Sequence, residues 1–180
     1  MRTFSRRSPE KEPPAGLSLQ AAAICYRVRG SAIEFLLVKT SSGKWTFPKG
    51  RIEPALTASE SASREAWEEA GARGKIEREH FAVYLDTKRT VGHDNSTREI
   101  MIAAFLFEVH SNVQPEELHR HPTWFAPEDA MKKLQESRAS RYALQISSVV
   151  NAAIERLSYK KLMRPPAHVS PGRARLAPLR

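Results

Sequence analysis

Three glutamates stand close together in the middle of the chain, at Glu65, Glu68 and Glu69. Residues 57–70 are rich in Ala, Glu and Ser and are followed by Gly71, a common helix terminator, so this stretch predicts an α-helix. At about 100° per residue, the three carboxylates fall within roughly a 100° arc of one helix face. Like charges at this spacing repel one another, and they crowd the end of the helix where the macrodipole disfavours anions. A divalent cation would remove this repulsion, and Mg²⁺ prefers oxygen ligands.

Two further features of the same helix favour a positioned carboxylate face. Arg64 precedes Glu68 by four residues and can orient that carboxylate through an ion pair. Ala62, Ala66 and Ala70 form a stripe of small side chains that would let the helix lie close against a sheet. Taken alone, the glutamates also fit an ordinary solvated helix face, so the helix by itself leaves both interpretations open.

The flanking residues favour the catalytic interpretation. Residues 50–72 read GRIEPALTASESASREAWEEAGA, which resembles the Nudix box. That box has a glycine, a later glutamate, then Arg-Glu, an aliphatic residue, any residue, Glu-Glu, any residue and a glycine. The matching positions are Gly50, Arg64, Glu65, Glu68, Glu69 and Gly71. One position departs, because Leu56 stands where the family usually has its first glutamate. Glu53, three residues earlier, is a candidate partial replacement.

The resemblance covers about residues 18–136 and points to one branch of the family. The segments AICYR, LLV and WTFPKG in the first fifty residues, and TWFAPEDA at 123–130, are similar to diphosphoinositol and diadenosine polyphosphate phosphohydrolases. The resemblance implies an α/β fold, namely a Nudix-type α/β/α sandwich with a mixed β-sheet. It also implies a hydrolase that cleaves phosphoanhydride bonds and uses Mg²⁺ or Mn²⁺.

The resemblance assigns roles to residues of the box. Glu65, Glu68 and Glu69 are the implied metal ligands, and Gly50 contributes backbone geometry near the metal. Arg64 completes the catalytic set. The general base is one of these glutamates or a later acid.

Candidates outside the box carry two interpretations each. Glu116 and Glu117 are possible extra acids, although solvated glutamates are common on protein surfaces. Four cationic side chains are either phosphate contacts or surface charges: Lys49, Arg51, Arg27 and Lys39. Trp45 either stacks on a base of the substrate or packs in a loop or the core.

The elements that position these residues alternate between strand-like and helix-like segments. Apolar β-type runs predict strands at 19–28, 33–39, 77–86 and 98–109. Besides the box helix, helical spacing of apolar residues and a proline at the first position predict helices at 127–135 and 141–160. A polar loop is predicted at 91–97.

The net charge of +9 does not belong to the folded part of the chain. Residues 1–15 carry +2 and residues 159–180 carry +6, which leaves +1 for residues 16–158. Composition predicts a disordered, Pro-rich tail at 1–17, a Nudix domain at 18–161 and a basic Pro/Arg-rich tail at 162–180. Such tails are typical of solvated flexible ends, and contact with nucleic acid through them is possible but not favoured.

Composition also limits the setting of the protein. The single cysteine, Cys25, excludes an intrachain disulfide and lies in an apolar run typical of a buried, inert thiol. No apolar stretch approaches the ~20 residues of a membrane helix, and the N-terminus lacks the apolar core of a secretory signal. The prediction is a cytoplasmic protein without a membrane partner. The sequence does not indicate an oligomeric state.

The favoured partner is a small-molecule phosphate substrate, and two alternatives stay open. The first is an RNA 5′-end pyrophosphohydrolase, which the basic tails support, although Pro48-Lys49-Gly50 is more similar to the polyphosphate branch. The second is a nucleotide-binding Nudix module without catalysis, against which the intact Arg-Glu and Glu-Glu pairs at 64–65 and 68–69 argue.

Overall fold

The computed structural model describes residues 18–89 and 97–163, with side chains described at 18–88 and 97–160. Within these ranges the strands are β1 Ser18–Arg29, β2 Ala32–Lys39, β3 Trp45–Thr46, β4 Lys49–Arg51, β5 Ala72–Ile76, β6 Ala82–Arg89, β7 Thr97–Asn112 and β8 Thr123–Phe125. The helices are α1 Ala58–Ala70, α2 Pro127–Gln135 and α3 Ser140–Met163, with a 3-10 helix at Leu118–Arg120.

Strand β1 lies at the centre of one mixed sheet. It pairs in parallel with β7, from Ser18↔Ile100 to Tyr26↔Glu108, and antiparallel with β2 and β4. Residues 21–26 of β1 are all buried, which requires cover on both faces of the sheet. This confirms the predicted mixed sheet with helices on either side.

Alternation along β1 divides the core into two layers. Ala21, Ala23 and Cys25 pack with the small residues of α1 on one face. The even-numbered residues of the same stretch, such as Ile24, pack with α2 and α3 on the other face. Successive side chains of a strand point to opposite faces, so the two layers follow directly from the strand period.

Helix α1 begins and ends as the sequence predicts. Thr57 is its N-cap and forms a capping box with Glu60. Gly71 ends it in the left-handed region at φ 61°, where glycine carries no steric penalty. The stripe of small side chains, Ala62, Ala66 and Ala70, is buried against the sheet. The box helix is therefore fixed at both ends and along its inner face.

The predicted strand at 77–86 is wrong as a single element. The chain instead forms β5 and β6, which pair with successive parts of the same edge of β7. Residues 77–81 interrupt the pairing, although the N–H groups of Glu77 and Phe81 still donate to β7 carbonyls. The polar segment EREH at 77–80 bends away from the sheet because it has no apolar face to bury.

The remaining predicted elements are confirmed, with shifts at their ends. The strands at 19–28, 33–39 and 98–109 correspond to β1, β2 and β7, and the helices at 127–135 and 141–160 correspond to α2 and α3. The predicted tails and almost all of the predicted loop at 91–97 lie outside the described residues. Among the described helices, none has the length and apolar character needed to cross a membrane.

Candidate active site

The first contact of the site joins β4 to α1. Gly50 pairs with Ala21 of β1, which directs this position of β4 toward the α1 face of the sheet. A Cβ atom at Gly50 would lie only 1.6 Å from Oε1 of Glu65. Glycine at this position therefore lets the Glu65 carboxylate lie directly on the strand backbone, while the role of Gly50 near a metal ion stays a prediction.

Glu69 lies one helical turn further along α1 and is 3% exposed. Its carboxylate accepts the backbone N–H of Lys49 at 3.2 Å and pairs with Nη2 of Arg120 at 2.6 Å. Burial raises the pKa of Glu69 to about 7, although Arg120 and the Lys49 N–H act in the opposite direction. The pKa of Glu65 is also raised, mainly by burial and then by the charges of Glu68 and Glu117.

Glu68 lies on the outer side of the same carboxylate face. Its Oε1 accepts a hydrogen bond from Nε of Arg64 at 2.7 Å, as the four-residue spacing predicts. Nη1 of Arg64 also donates to Oε2 of Glu53 at 2.9 Å. The backbone N–H of Glu53 donates to Ser61 Oγ at 3.1 Å, and its carbonyl accepts the N–H of Leu56 at 3.0 Å. Glu53 thus stabilises the loop whose usual glutamate is replaced by Leu56.

The two candidate extra acids lie in different surroundings. Nε of Arg120 donates to Oε2 of Glu117 at 2.6 Å, and the Glu117 N–H donates to the Glu68 carbonyl at 3.0 Å. Glu116 instead accepts a hydrogen bond from Nε1 of Trp67 at 3.1 Å, on an exposed part of the helix. The structure therefore brings Glu117 beside the box glutamates and leaves Glu116 at the rim.

Two of the predicted phosphate contacts lie on β4. The backbone of Lys49 is part of the site, but its pairing with Ala22 directs the side chain to the α2–α3 face of the sheet. Burial lowers the pKa of the Lys49 ammonium group, and the charge of Asp86 partly opposes this. Arg51, two residues on, is exposed. Both residues belong to β4, which contacts α1, but their side chains are directed away from α1.

The predicted contacts on β1 and β2 are less closely connected to the glutamates. Arg27 lies six residues along β1 from the position opposite Gly50, which is roughly 20 Å at the usual rise of a strand. Its guanidinium group stacks over Trp124 at 4.0 Å and donates to Glu34 at 2.7 Å. The structure does not bring Arg27 to the site.

Lys39 and Trp45 pack together on the α2–α3 side. The Lys39 carbonyl accepts a long hydrogen bond from Arg120 at 3.4 Å, but its ammonium group lies 5.0 Å from the Trp45 ring. That ring makes an edge contact with Phe125, with centroids 5.1 Å apart. The packing interpretation of Trp45 therefore describes its position in the structure.

Sequence reasoning missed Arg120. It lies in the 3-10 helix Leu118–Arg120, and its guanidinium group joins Glu69 of the box to Glu117. In the sequence, the three-residue spacing between Glu117 and Arg120 resembles many surface ion pairs. The contact that matters, with Glu69, spans 51 residues and carries no local pattern.

The donor set fits a hard divalent cation. Carboxylate oxygens of Glu65 and Glu69 face the β4 backbone at Gly50, and Glu117 adds a third acid next to them. As placed, however, no three acidic, His or Cys side chains of the described residues converge into one cation site. The ion pairs explain this separation, since Arg120 lies between Glu69 and Glu117 while Arg64 holds Glu68 toward Glu53.

A groove of about 470 Å³ lies elsewhere on the molecule. Its lining includes Tyr26, Glu77 and Arg156, and it contains none of the predicted site residues. Tyr26 is five residues along β1 from the strand position opposite Gly50, so the groove is separate from the box glutamates.

Comparisons with known proteins agree with this geometry. The NUDIX domain model matches residues 18–145. Diphosphoinositol polyphosphate phosphohydrolase 3-alpha of Homo sapiens is 31% identical over 124 residues, which cover 68% of this chain and 72% of the human protein. The 3-beta protein of Bos taurus is 32% identical over 126 residues, with the same two shares.

Solved structures share the fold. The Ap4A hydrolase of C. elegans, crystallised as a binary complex, superposes with a TM-score of 0.58 at 22% identity. The match covers 79% of this chain and 99% of the C. elegans chain. The NUDIX domain of Shewanella oneidensis NrtR, crystallised with ADP ribose, gives a TM-score of 0.57 at 15% identity, covering 79% of this chain and 89% of that chain.

The chain belongs to the Nudix family, since the family model spans most of its length and its relatives pass 30% identity. The α/β/α sandwich and mixed sheet are those of the family. Within that family it is a hydrolase that acts on pyrophosphate bonds, as the named phosphohydrolase relatives support.

Proposed function

We propose that the chain is a divalent-cation-dependent phosphohydrolase acting on a small polyphosphorylated molecule of the dinucleoside polyphosphate or diphosphoinositol type. The observation that carries the proposal is the placement of Glu65 on the Gly50 backbone, with Glu69 buried beside the Lys49 N–H. Carboxylates buried next to one another destabilise a fold unless a cation offsets their charge, so this arrangement favours a functional interpretation.

The site residues have separate proposed roles. Glu65 and Glu69 would hold Mg²⁺ or Mn²⁺, with Glu68 the third implied ligand and Glu117 an acid from outside the box. When bound, the cation supplies charge neutralisation of phosphate oxygens and lowers the pKa of a bound water molecule. Proton transfer from the attacking water falls to one of the site acids. Arg64 orients Glu68 through the hydrogen bond from its Nε to Oε1.

The substrate class is supported by relatives and by the distribution of charge. The similar curated proteins are diphosphoinositol polyphosphate phosphohydrolases, and a structural neighbour is an Ap4A hydrolase. The side chains of the predicted phosphate contacts Lys49, Arg51 and Lys39 are directed away from α1, so they add no support for a particular substrate class. A small substrate fits the near-neutral domain, since most of the excess charge lies in the tails.

A substrate panel tests this proposal. Phosphate release is measured from diadenosine polyphosphates, diphosphoinositols, nucleotide sugars, oxidised nucleotides and 5′-triphosphorylated RNA, each with Mg²⁺ and with a chelator. We expect cation-dependent turnover of one of the first two classes and loss of that turnover in Glu69→Gln. Preferred cleavage of RNA would select the alternative suggested by the basic tails. Full turnover in chelator would contradict the cation requirement.

A further inference from the structure

Arg120 is the cation that holds two acids of the site together. Its Nη2 lies 2.6 Å from Oε1 of Glu69, and its Nε lies 2.6 Å from Oε2 of Glu117. The Arg120 side chain is 19% exposed and that of Glu69 is 3% exposed, so solvent screens the first pair weakly. Charge-assisted hydrogen bonds of this length are among the stronger contacts of a protein.

This guanidinium group lies where a cation would have to bind. Among the described residues, Arg120 is the one side chain that forms an ion pair with Glu69, and Lys49 contributes only its backbone N–H. Because Oε2 of Glu69 already accepts the Lys49 N–H, a divalent cation bound by Glu69 would compete for Oε1, which Arg120 now contacts. Both cations cannot share that oxygen at close range, because like charges a few ångströms apart repel strongly in a buried site.

The segment that carries Arg120 is held loosely enough to let the side chain leave. The third contact of the guanidinium group, with the Lys39 carbonyl, is long at 3.4 Å. The 3-10 helix is a single turn with no buried residue. It ends at His121, which has φ 47°, a backbone conformation that a side-chain-bearing residue adopts at some cost. By contrast, α1 has a face of buried side chains that packs against the sheet and fixes the helix.

We propose that Arg120 is an internal counter-cation for Glu69 and Glu117, which a divalent metal ion must displace from Glu69 in order to bind. Arg120 then acts as a positioning residue: it holds the two acids in place before the metal arrives, and it weakens metal binding by competing for the same oxygen. The inference rests on the metal site of the proposed function.

Metal affinity tests the inference without any turnover. Mn²⁺ binding is followed by electron paramagnetic resonance in oxygen-free buffer at pH 8.5, with the same conditions for every variant. We expect Arg120→Gln to bind Mn²⁺ on the order of tenfold more tightly than the wild type, since the competing contact is lost. Arg120→Lys, which keeps the charge but not the paired geometry, should lie between the two.

The control removes the same charge at a distant place. Arg156 pairs with Glu77 at 2.9 Å on α3, far from the box, so Arg156→Gln should leave Mn²⁺ affinity unchanged. If the wild type binds Mn²⁺ and Arg120→Gln binds it equally or less tightly, the inference is overturned and the proposed function still stands. A wild type that binds no Mn²⁺ at millimolar concentration overturns both.

A second measurement uses the wild-type protein, in case Arg120→Gln does not fold. The Nε–H resonance of Arg120 is assigned in ¹H–¹⁵N spectra by its loss in Arg120→Lys, and Mg²⁺ is then added. Displacement predicts a shift of this resonance toward the position of a free guanidinium group, with the Arg156 resonance unchanged. A resonance that stays in place at saturating Mg²⁺ overturns the inference.

Discussion

Two buried arginine–carboxylate pairs lie on opposite faces of the same sheet, and they differ in how completely their charges are matched. Arg138 donates from Nε and Nη2 to Oδ2 of Asp86 at 3.2 and 3.0 Å, and from Nη1 to the carbonyls of Trp45 (3.0 Å) and Leu134. Its side chain is 4% exposed. Arg120, on the α1 face, instead serves two acids and leaves the nearby Glu65 without an ion pair among the described residues.

The difference separates a contact that joins elements from one that can be exchanged. Arg138 and Asp86 pair one to one, and backbone carbonyls accept the hydrogen bonds of Arg138 Nη1. The pair therefore links β6 to the connection between α2 and α3. The α1 face has more acids than cations, and a second cation would improve its charge balance. We therefore expect mutations of the first pair to change stability and mutations on the α1 face to change function.

The largest expected effect is a loss of stability when the Arg138–Asp86 pair is broken. Arg138→Leu leaves Asp86 buried without its partner, so it should lower the free energy of unfolding by about 3–5 kcal/mol. Urea unfolding followed by circular dichroism measures the loss. Arg156→Gln, at a half-exposed pair, should cost at most about 1 kcal/mol. An equal loss of unfolding free energy in both variants would show that the Arg138–Asp86 pair contributes no more than an ordinary surface pair.

The second effect is on turnover at the α1 face. Glu69→Gln should lower the catalytic rate on the order of 10²-fold or more while the fold is kept, because a proposed cation ligand is lost. Glu116→Gln is the matched control at the rim and should stay within a few-fold of the wild type. Steady-state kinetics on the best substrate of the panel measures both. Near-wild-type turnover in Glu69→Gln would show that this position is not a ligand.

The third effect is a dependence of stability on pH. The native pKa of Glu69, about 7, lies above the ordinary glutamate pKa of 4.5, so between these two pH values the native state holds a proton that the unfolded state has released. The raised pKa of Glu69 therefore makes the metal-free protein less stable as pH rises from about 4.5 to about 7. Above this range, Glu69 changes the free energy of unfolding little further. Urea midpoints at pH 5.5, 7 and 8.5 should fall more steeply for the wild type than for Glu69→Gln. Parallel curves would contradict the raised pKa.

The smallest effect concerns the departure from the family pattern. Leu56 is half-buried and belongs to neither core cluster, so Leu56→Glu should change stability by no more than about 0.5 kcal/mol. Glu53→Gln should lower activity a few-fold by loosening Arg64, and Leu56→Glu in the same protein should restore part of it. A loss of soluble Leu56→Glu protein would show that the leucine is needed for packing.

Local patterns were enough to predict the box helix. Its cap residues, its stripe of alanines and the ion pair of Arg64 with Glu68 all lie within a few residues of one another. Periodicity gave most of the strands and helices, while the mixed sheet was implied by the resemblance to the Nudix family. The break between β5 and β6 was missed because both segments pair with the same edge of β7, although the polar run at 77–80 was a local signal for it.

Charges outside the box were harder to assign from sequence. Arg27 and Arg120 are equally plausible phosphate contacts by residue type, yet strand position takes the first roughly 20 Å from Gly50, and the fold brings the second to Glu69. Glu53 is similar, because its contact with Arg64 depends on how the loop enters α1. The roles of all site residues, the cation and the cytoplasmic location stay predictions.

The parallel pairing of β1 with β7 has a consequence for folding. The paired residues are roughly 80 positions apart, so the centre of the sheet closes only after a long stretch of chain has been brought together. Such distant pairing is typical of domains that fold slowly for their size. Hairpin β1–β2 and helix α1 can form early, but the buried surroundings of Glu69 require β7, and its contact with Arg120 requires still later residues. During synthesis, the glutamates of the box are thus made about fifty residues before Arg120, the cation that pairs with Glu69.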